Sequence, residues 1–221
     1  MSDPLTDVTL PTALADLTGR DPRLAQMLAD YGPPPMWERE AGFPTLLQTI
    51  LEQQVSLASA KATYDKLVAI AAPLTPARFL ELDDAALKTA GFSRQKTRYG
   101  RELAAAVLAG QLNLDRLHTL DDEAARGALT RINGIGRWTA DIYLLLALRR
   151  PDIWPAGDLA LAMAVQRVLG LPSAPTPSEM ERIGEAWRPW RAVAARLLWH
   201  YYLSNRESTK TRRRKTSAPG G

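Results

Sequence analysis

Leu129-Thr130-Arg131-Ile132-Asn133-Gly134-Ile135-Gly136-Arg137-Trp138-Thr139-Ala140 joins two segments of helical periodicity and carries two glycines around one isoleucine. Glycine tolerates positive φ and lets a second backbone come close, so Gly134-Ile135-Gly136 reads as a tight hairpin between helices. Ile132 and Ile135 are placed to plug between those helices. The amides of Gly134, Gly136 and the first turn from Arg137 then face outward, where free N–H groups and the helix dipole favour an anion such as a nucleic-acid phosphate. The same residues also describe a plain helix–helix turn with glycine caps, because short glycine motifs recur for purely structural reasons. The rest of the chain has to separate these readings.

Outward from the hairpin the periodicity is helical almost everywhere, and no alternating β-branched run appears. Asp21-Pro22, Thr75-Pro76 and Thr176-Pro177 each set a capping side chain before a proline suited to the first helical position. Phe43-Pro44 opens a helix over 45–54, Ser56 caps Leu57–Ala71, Asp83 caps a short turn ending at Gly91, and Ser93 caps a helix to Ala109. Asp121 starts a helix to Arg131, a second covers 137–148, Leu159–Leu169 follows Asp158, and 177–187 and 190–204 complete the set. About ten helices with short loops predict an all-α fold.

With 221 residues, 46% of them apolar, the chain can bury a real core in one large domain or two small lobes. The longest strongly apolar run, 142–148, is far too short to cross a bilayer, and the acidic N-terminus carries no secretory signal. The absence of cysteine excludes disulfides, a thiolate nucleophile and cysteine-ligated zinc or iron–sulfur sites. A soluble intracellular protein is expected. The net charge of +4 is misleading, because residues 206–221 hold six basic residues and one acid. The preceding 205 residues, with 22 basic and 23 acidic side chains, are nearly neutral. The tail, almost without apolar residues, is expected to be disordered and to act as a DNA tether or a solubilising end.

Three more stretches matter: Ile50-Leu51-Glu52-Gln53-Gln54-Val55-Ser56, Ile153-Trp154-Pro155-Ala156-Gly157-Asp158-Leu159, and Glu185-Ala186-Trp187-Arg188-Pro189-Trp190-Arg191 followed by Trp199. Together with the hairpin, these four blocks resemble the helix-hairpin-helix (HhH-GPD) DNA glycosylase superfamily, in the branch of the 3-methyladenine DNA glycosylases II (AlkA-type). The resemblance covers roughly residues 20–205. It implies a two-lobed helical core, with the N-terminus and last helices in one lobe, the middle of the chain in the other, and the active site in the cleft between them. The helical core alone is expected, without the separate N-terminal β domain of longer AlkA-type members. The core is expected over 1–205, with the helix-hairpin-helix at about 122–149 and the basic tail at 206–221.

Asp158 reads locally as the N-cap of the helix that follows, and the resemblance makes it the catalytic aspartate. Breaking an N-glycosidic bond builds positive charge on the deoxyribose, and a nearby carboxylate stabilises it and orients or deprotonates the attacking water. A base alkylated at N3 or N7 is already cationic and leaves without a general acid. Relatives that also nick the strand carry a lysine two positions after the second glycine, as a Schiff-base nucleophile. Trp138 stands there, which implies an enzyme without lyase activity. The resemblance assigns Trp138 and Trp199 to the base pocket, where an indole face attracts a cationic base. Trp187 and Trp190 read as core, Trp37 and Trp154 stay open, and Leu159 stands where some relatives have an aromatic residue.

The strongest basic cluster of the folded part is Phe92-Ser93-Arg94-Gln95-Lys96-Thr97-Arg98-Tyr99-Gly100-Arg101, which a solvated helix face would equally explain. The family sets its wedge loop here, making Arg94 the wedge candidate with Phe92 and Ser93 beside it. Lys96 and Arg98 would add phosphate contacts, Gln53 and Gln54 would reach base edges or the gap, and Arg137 and Thr139 would be phosphate partners beside Gly134 and Gly136. The carbonyls of Thr130, Ile132 and Ile135 would hold a monovalent Na+ or K+; no other cofactor is expected. His118 and His200 have no ligand spacing around them and read as structural or surface residues. The expectation is therefore a monofunctional alkylpurine DNA glycosylase acting on damaged double-stranded DNA, a monomer without membrane association, cytoplasmic and bacterial, at the nucleoid. Two alternatives stay open: a glycosylase for uncharged lesions such as uracil or hypoxanthine, needing donors to the leaving base, and a non-catalytic helix-hairpin-helix module, which needs neither Asp158 nor the two pocket tryptophans.

Overall fold

Asp21, Thr75 and Thr176 each accept the backbone N–H two or three residues on, so the proline-adjacent helix starts form as their sequences dictate. The computed structural model describes the backbone of residues 3–216 and side chains through residue 205. Among these residues there are twelve α-helices and two short 3-10 turns, and no strand. The helices are α1 (Thr9–Arg20), α2 (Pro22–Tyr31), α3 (Phe43–Glu52), α4 (Leu57–Ala71), α5 (Pro76–Glu81), α6 (Asp84–Ala90), α7 (Arg94–Leu108), α8 (Asp122–Thr130), α9 (Arg137–Leu146), α10 (Leu159–Leu169), α11 (Pro177–Gly184) and α12 (Arg191–Thr216). The 3-10 turns are Leu114–Thr119 and Glu185–Trp187.

The chain divides into two compact units, one of Glu38–Arg150 and one of Asp3–Trp37 with the residues from Pro151 onward. This is the partition the sequence reading assigns to its two lobes. In the first unit α3 is the central helix, with Phe43, Leu46, Leu47, Ile50 and Leu51 all buried. It packs on α4, α7 and α9. Phe79 bridges Phe43 and Phe92 with ring centroids 5.9 and 5.8 Å apart. A Cβ at position 100 would sit 2.7 Å from the Phe79 ring, so only glycine lets α7 approach that closely. The tyrosine hydroxyl of Tyr143 accepts the Gly42 N–H at 2.9 Å, fixing the chain as it enters α3.

In the second unit α12 packs on α1, α2 and α10. Trp187, nearly fully buried, donates its indole N–H to Asp21 at 3.0 Å, and the Arg23 guanidinium chelates the same carboxylate at 2.8 Å through two nitrogens. Those donors hold the Asp21 carboxyl down at about 2.

Several boundaries differ from the sequence expectation. Helix α1 starts without a conventional cap: Thr6 and Thr9 exchange backbone N–H to hydroxyl bonds at 2.9 and 3.1 Å, a reciprocal pair that leaves no Ser/Asp-Pro signature. Helix α3 ends at Glu52 instead of 54, since Gln54 takes φ +58, and α9 ends at Leu146 instead of 148, just before Arg149 at φ +52. Helix α12 runs past the expected end at Ser204 to Thr216, so the backbone of residues 206–216 is helical where the sequence reading expects a disordered tail. The side chains of that stretch lie outside the described residues, as does the role expected of the tail.

Candidate functional site

In the first unit, α8 and α9 are joined by the hairpin. Gly134 has φ +91, and a Cβ there would lie 2.3 Å from the Tyr99 ring, so both backbone and packing require glycine. Gly136 is different from expectation. It is the N-cap of α9 with an ordinary extended φ of −82, exposed, and a Cβ would meet nothing within 4 Å. The fold itself therefore does not demand glycine at 136. Ile135 is buried as expected, its N–H closing a turn onto the Ile132 carbonyl at 3.0 Å, while Ile132 is only half-buried.

Beneath the hairpin, Asp141 of α9 is 1% exposed and receives the Arg126 Nε of α8 at 2.6 Å. Glu123 is the second carboxylate on Arg126, and Arg137 lies 3.8 Å from Asp141. A buried ion pair thus staples the two arms. Arg137 itself is exposed on the first turn of α9, and Trp138 beside it is half-buried.

Four expected DNA-facing side chains are committed elsewhere. Gln53 donates its amide to the Gly134 carbonyl and the Thr139 hydroxyl, each at 2.8 Å, and so braces the hairpin in place of reaching a base edge. Thr139 is 1% exposed, which removes its hydroxyl from any phosphate. Lys96 donates to the carbonyls of Leu51 and Gln53 at 2.6 and 3.0 Å, where the end of α3 lacks intrahelical partners. Burial pushes the Lys96 ammonium below the usual lysine range. Phe92 is core, packed on Phe79, and cannot be a wedge. Ser93 caps α7 through Lys96 N at 3.2 Å, and Arg94 is exposed on its first turn.

In the second unit the loop before Asp158 is rigidly tied. Asp152 is gripped by Arg191 at 2.9 and 3.0 Å and by Arg188 at 2.6 Å, and Ala192 N donates to the Pro151 carbonyl at 3.0 Å. Trp154 is buried, its indole N–H on the Met180 carbonyl at 2.8 Å and its ring 5.2 Å from Trp187. That settles Trp154 and Trp187 as core; Trp190 is only half-buried. The turn closes with Asp158 N on the Pro155 carbonyl at 2.9 Å.

Asp158 then caps α10, Oδ1 accepting Leu161 N at 2.8 Å. The same oxygen accepts the Trp199 indole N–H of α12 at 3.0 Å. Trp199, expected only as a stacking face, is thus also a hydrogen-bond partner of the aspartate. Trp37 packs edge-on against Trp199 with centroids 6.5 Å apart and takes φ +45, unusual for a bulky residue. Sequence reading left Trp37 open. His200 bonds the Tyr31 carbonyl at 2.9 Å, a structural role as expected. The carboxylate is half-buried, and Leu159 beside it is 71% exposed.

Among the described residues no group of three or more His, Asp or Glu side chains could hold a metal ion, and no helix is long and apolar enough to cross a membrane. A carboxylate anchored at a helix start, with an indole bonded to it, is suited to stabilising a cation. An amide-lined hairpin is suited to a phosphate.

Comparison with known proteins agrees with this inventory. DNA-3-methyladenine glycosylase 1 of Schizosaccharomyces pombe is 28% identical over 198 residues, covering 86% of this chain and 87% of that protein. The solved S. pombe 3-methyladenine DNA glycosylase (Mag1) in complex with abasic DNA superposes with a TM-score of 0.79 at 27% identity, over 85% of this chain and 95% of that one. A DNA-3-methyladenine glycosidase from Bacillus halodurans superposes with a TM-score of 0.74 at 28% identity, over 88% and 91% of the two chains. The profile of the HhH-GPD superfamily base excision DNA repair proteins matches residues 47–189, which span the hairpin, the Asp158 loop and the Glu185–Trp187 turn. With well over half its length matched, the chain belongs to the HhH-GPD superfamily of base excision DNA repair proteins.

Proposed function

We propose that this protein is a monofunctional DNA glycosylase that turns an alkylated purine, of the 3-methyladenine or 7-methylguanine type, out of duplex DNA. It hydrolyses the N-glycosidic bond and leaves an abasic site for base excision repair. The observation that carries this reading is Asp158, held at the start of α10 by Leu161 N and by the Trp199 indole on one oxygen. Membership of a DNA repair superfamily and the likeness to 3-methyladenine glycosylases support the substrate class.

The chemistry follows from those residues. As the C1′–N bond breaks, its electron pair goes to the base and positive charge gathers on the deoxyribose. The Asp158 carboxylate stabilises that charge. Water adds to C1′, and its proton passes to the carboxylate or to solvent. A base alkylated at N3 or N7 departs neutral, so no acid has to protonate it. An indole face is worth about 0.5–2 kcal/mol to a cationic base, and Trp199 carries one beside Asp158. Trp138 would offer no amine for a Schiff base, which supports hydrolysis without strand cleavage.

Gly134, Gly136 and Arg137 would bind the DNA backbone, with Ser93 and Arg94 at the wedge. The carbonyls of Thr130, Ile132 and Ile135, oxygen ligands at the turn between α8 and α9, would hold a monovalent Na+ or K+. Such a cation would supply positive charge for a phosphate. The protein would act as a monomer on damaged double-stranded DNA, in the cytoplasm of a bacterium and at its nucleoid.

The test is base release from methylated duplex DNA, with the strand assayed before and after alkali. Free methylpurine and a nick only after alkali is the expected result. A nick without alkali would overturn the monofunctional reading. Salt-dependent binding with no release of any methylated base would overturn the alkylpurine assignment and direct the search to deaminated bases.

A further inference from the structure

The first turn of α7, the end of α3 and the hairpin are joined by four hydrogen bonds in series. Lys96 Nζ donates to the Leu51 and Gln53 carbonyls at 2.6 and 3.0 Å. Gln53 Nε2 donates to the Gly134 carbonyl and the Thr139 hydroxyl, both at 2.8 Å. The chain leaves α3 immediately afterwards through Gln54 at φ +58, a conformation that costs a non-glycine residue free energy. Something must hold it, and the Lys96 ammonium lies on the last carbonyls before that turn. Gln53 contributes both ends: its carbonyl receives Lys96, and its side chain carries the constraint to Gly134, whose φ of +91 sets the hairpin's shape. The basic cluster that the sequence suggests as a phosphate ladder therefore has one member turned inward.

We propose that Lys96 is a positioning residue for DNA backbone capture: through the Leu51 and Gln53 carbonyls it fixes the Gln53 amide, which holds the hairpin in the geometry that receives a phosphate. It does so without itself contacting phosphate. The inference rests on the DNA glycosylase reading above.

Two measurements on the full chain decide it. The first is affinity for a duplex carrying a stable abasic-site analogue, over a series of salt concentrations, for wild type, Lys96→Met, Gln53→Met and the double variant. Each single substitution is expected to weaken binding on the order of tenfold, with an unchanged slope of log affinity against log salt, and the double variant no worse than the weaker single one. A slope reduced by about 0.9 in Lys96→Met, the signature of one lost phosphate contact, would overturn the proposal. So would multiplicative losses in the double variant, or no loss at all.

The second is amide hydrogen exchange without DNA. Lys96→Met is expected to speed exchange of the amides of residues 132–139 several-fold while α10 and α12 keep wild-type protection. Uniformly faster exchange would make Lys96 a general structural residue and refute the positioning role. This readout needs no DNA. Failure of wild type to bind the abasic duplex would therefore sink the glycosylase reading, and unchanged hairpin exchange would sink the positioning role alone.

Discussion

The indole N–H of Trp199 and the backbone N–H of Leu161 converge on the same oxygen, Oδ1 of Asp158, at 3.0 and 2.8 Å. Two donors on one oxygen fix the carboxylate relative to α10 and α12. Replacing Trp199 with Phe keeps an aromatic face and deletes one charge-assisted bond. Single-turnover base release is expected to fall on the order of tenfold, since such bonds contribute about 1.5–3 kcal/mol, with affinity for abasic-site DNA retained. An equal loss in both measurements would assign Trp199 to binding alone.

Asp158 does two jobs, and two substitutions separate them. Asparagine caps helices about as well as aspartate, whereas alanine does not. Asp158→Asn is expected to lose base release by on the order of a thousandfold at nearly wild-type thermal stability and abasic-site binding. Asp158→Ala loses the same activity and about 1 kcal/mol of stability in addition. Full activity in the Asn variant would show that the carboxylate takes no part in the chemistry.

The two hairpin glycines are predicted to answer differently to alanine. At position 134 a Cβ meets Tyr99 at 2.3 Å with φ at +91, so Gly134→Ala should cost about 2 kcal/mol or more. At position 136 φ is −82 and the space is open, so Gly136→Ala is expected to be neutral or up to about 1 kcal/mol stabilising. Its affinity for DNA should nevertheless drop, because the added methyl lies where a phosphate would approach the amide. Denaturant unfolding together with DNA titration measures both.

Arg126→Ala leaves the Asp141 carboxylate, 1% exposed, without its buried partner. It is expected to destabilise by about 3 kcal/mol, and Asp141→Ala by less, because Glu123 still pairs with Arg126; both are read from chemical denaturation. An exposed pair such as Lys61–Asp65 should change stability by less than about 1 kcal/mol when cut. Similar losses at both sites would contradict the burial argument.

Acid should weaken the second unit through Asp21. Its carboxyl titrates at about 2 in the fold against 3.8 ordinarily, mainly because of the Arg23 guanidinium and further because of the Trp187 indole. A depressed carboxyl stabilises the fold above its unfolded pKa, and that contribution fades as pH falls through the folded value. It amounts to about 2 kcal/mol at neutral pH. The stability gap between wild type and Asp21→Asn should hold constant above about pH 5 and shrink between about pH 4 and 2.

Much of the fold was legible because helix starts are local events. Ser56, Asp83, Ser93, Asp121 and Asp158 each cap a helix with their own side chain, and each could be read from a few neighbouring residues. The exceptions are of two kinds. Helix α1 begins on a Thr6–Thr9 exchange that no single-residue signal announces. Helices α3 and α9 stop near Gln54 and Arg149, which take positive φ although neither is a glycine, the residue whose presence signals such a turn.

The site divides along the same line. Residue order alone determined that a Gly-Ile-Gly turn joins two helices, that an aspartate begins a helix about twenty residues later, and that a tryptophan stands two positions after the second glycine. These are matters of identity and spacing along one chain. Whether a polar side chain faces a ligand or its own backbone depends on distant segments. Gln53 and Lys96 were spent on carbonyls 81 and 45 residues away, Thr139 was buried beneath Gln53, and Trp199 was turned onto Asp158 across 41 residues. Only the tertiary structure could decide these, because an unpaired carbonyl or carboxylate takes whichever donor the packing brings within about 3 Å, and sequence separation does not enter that choice.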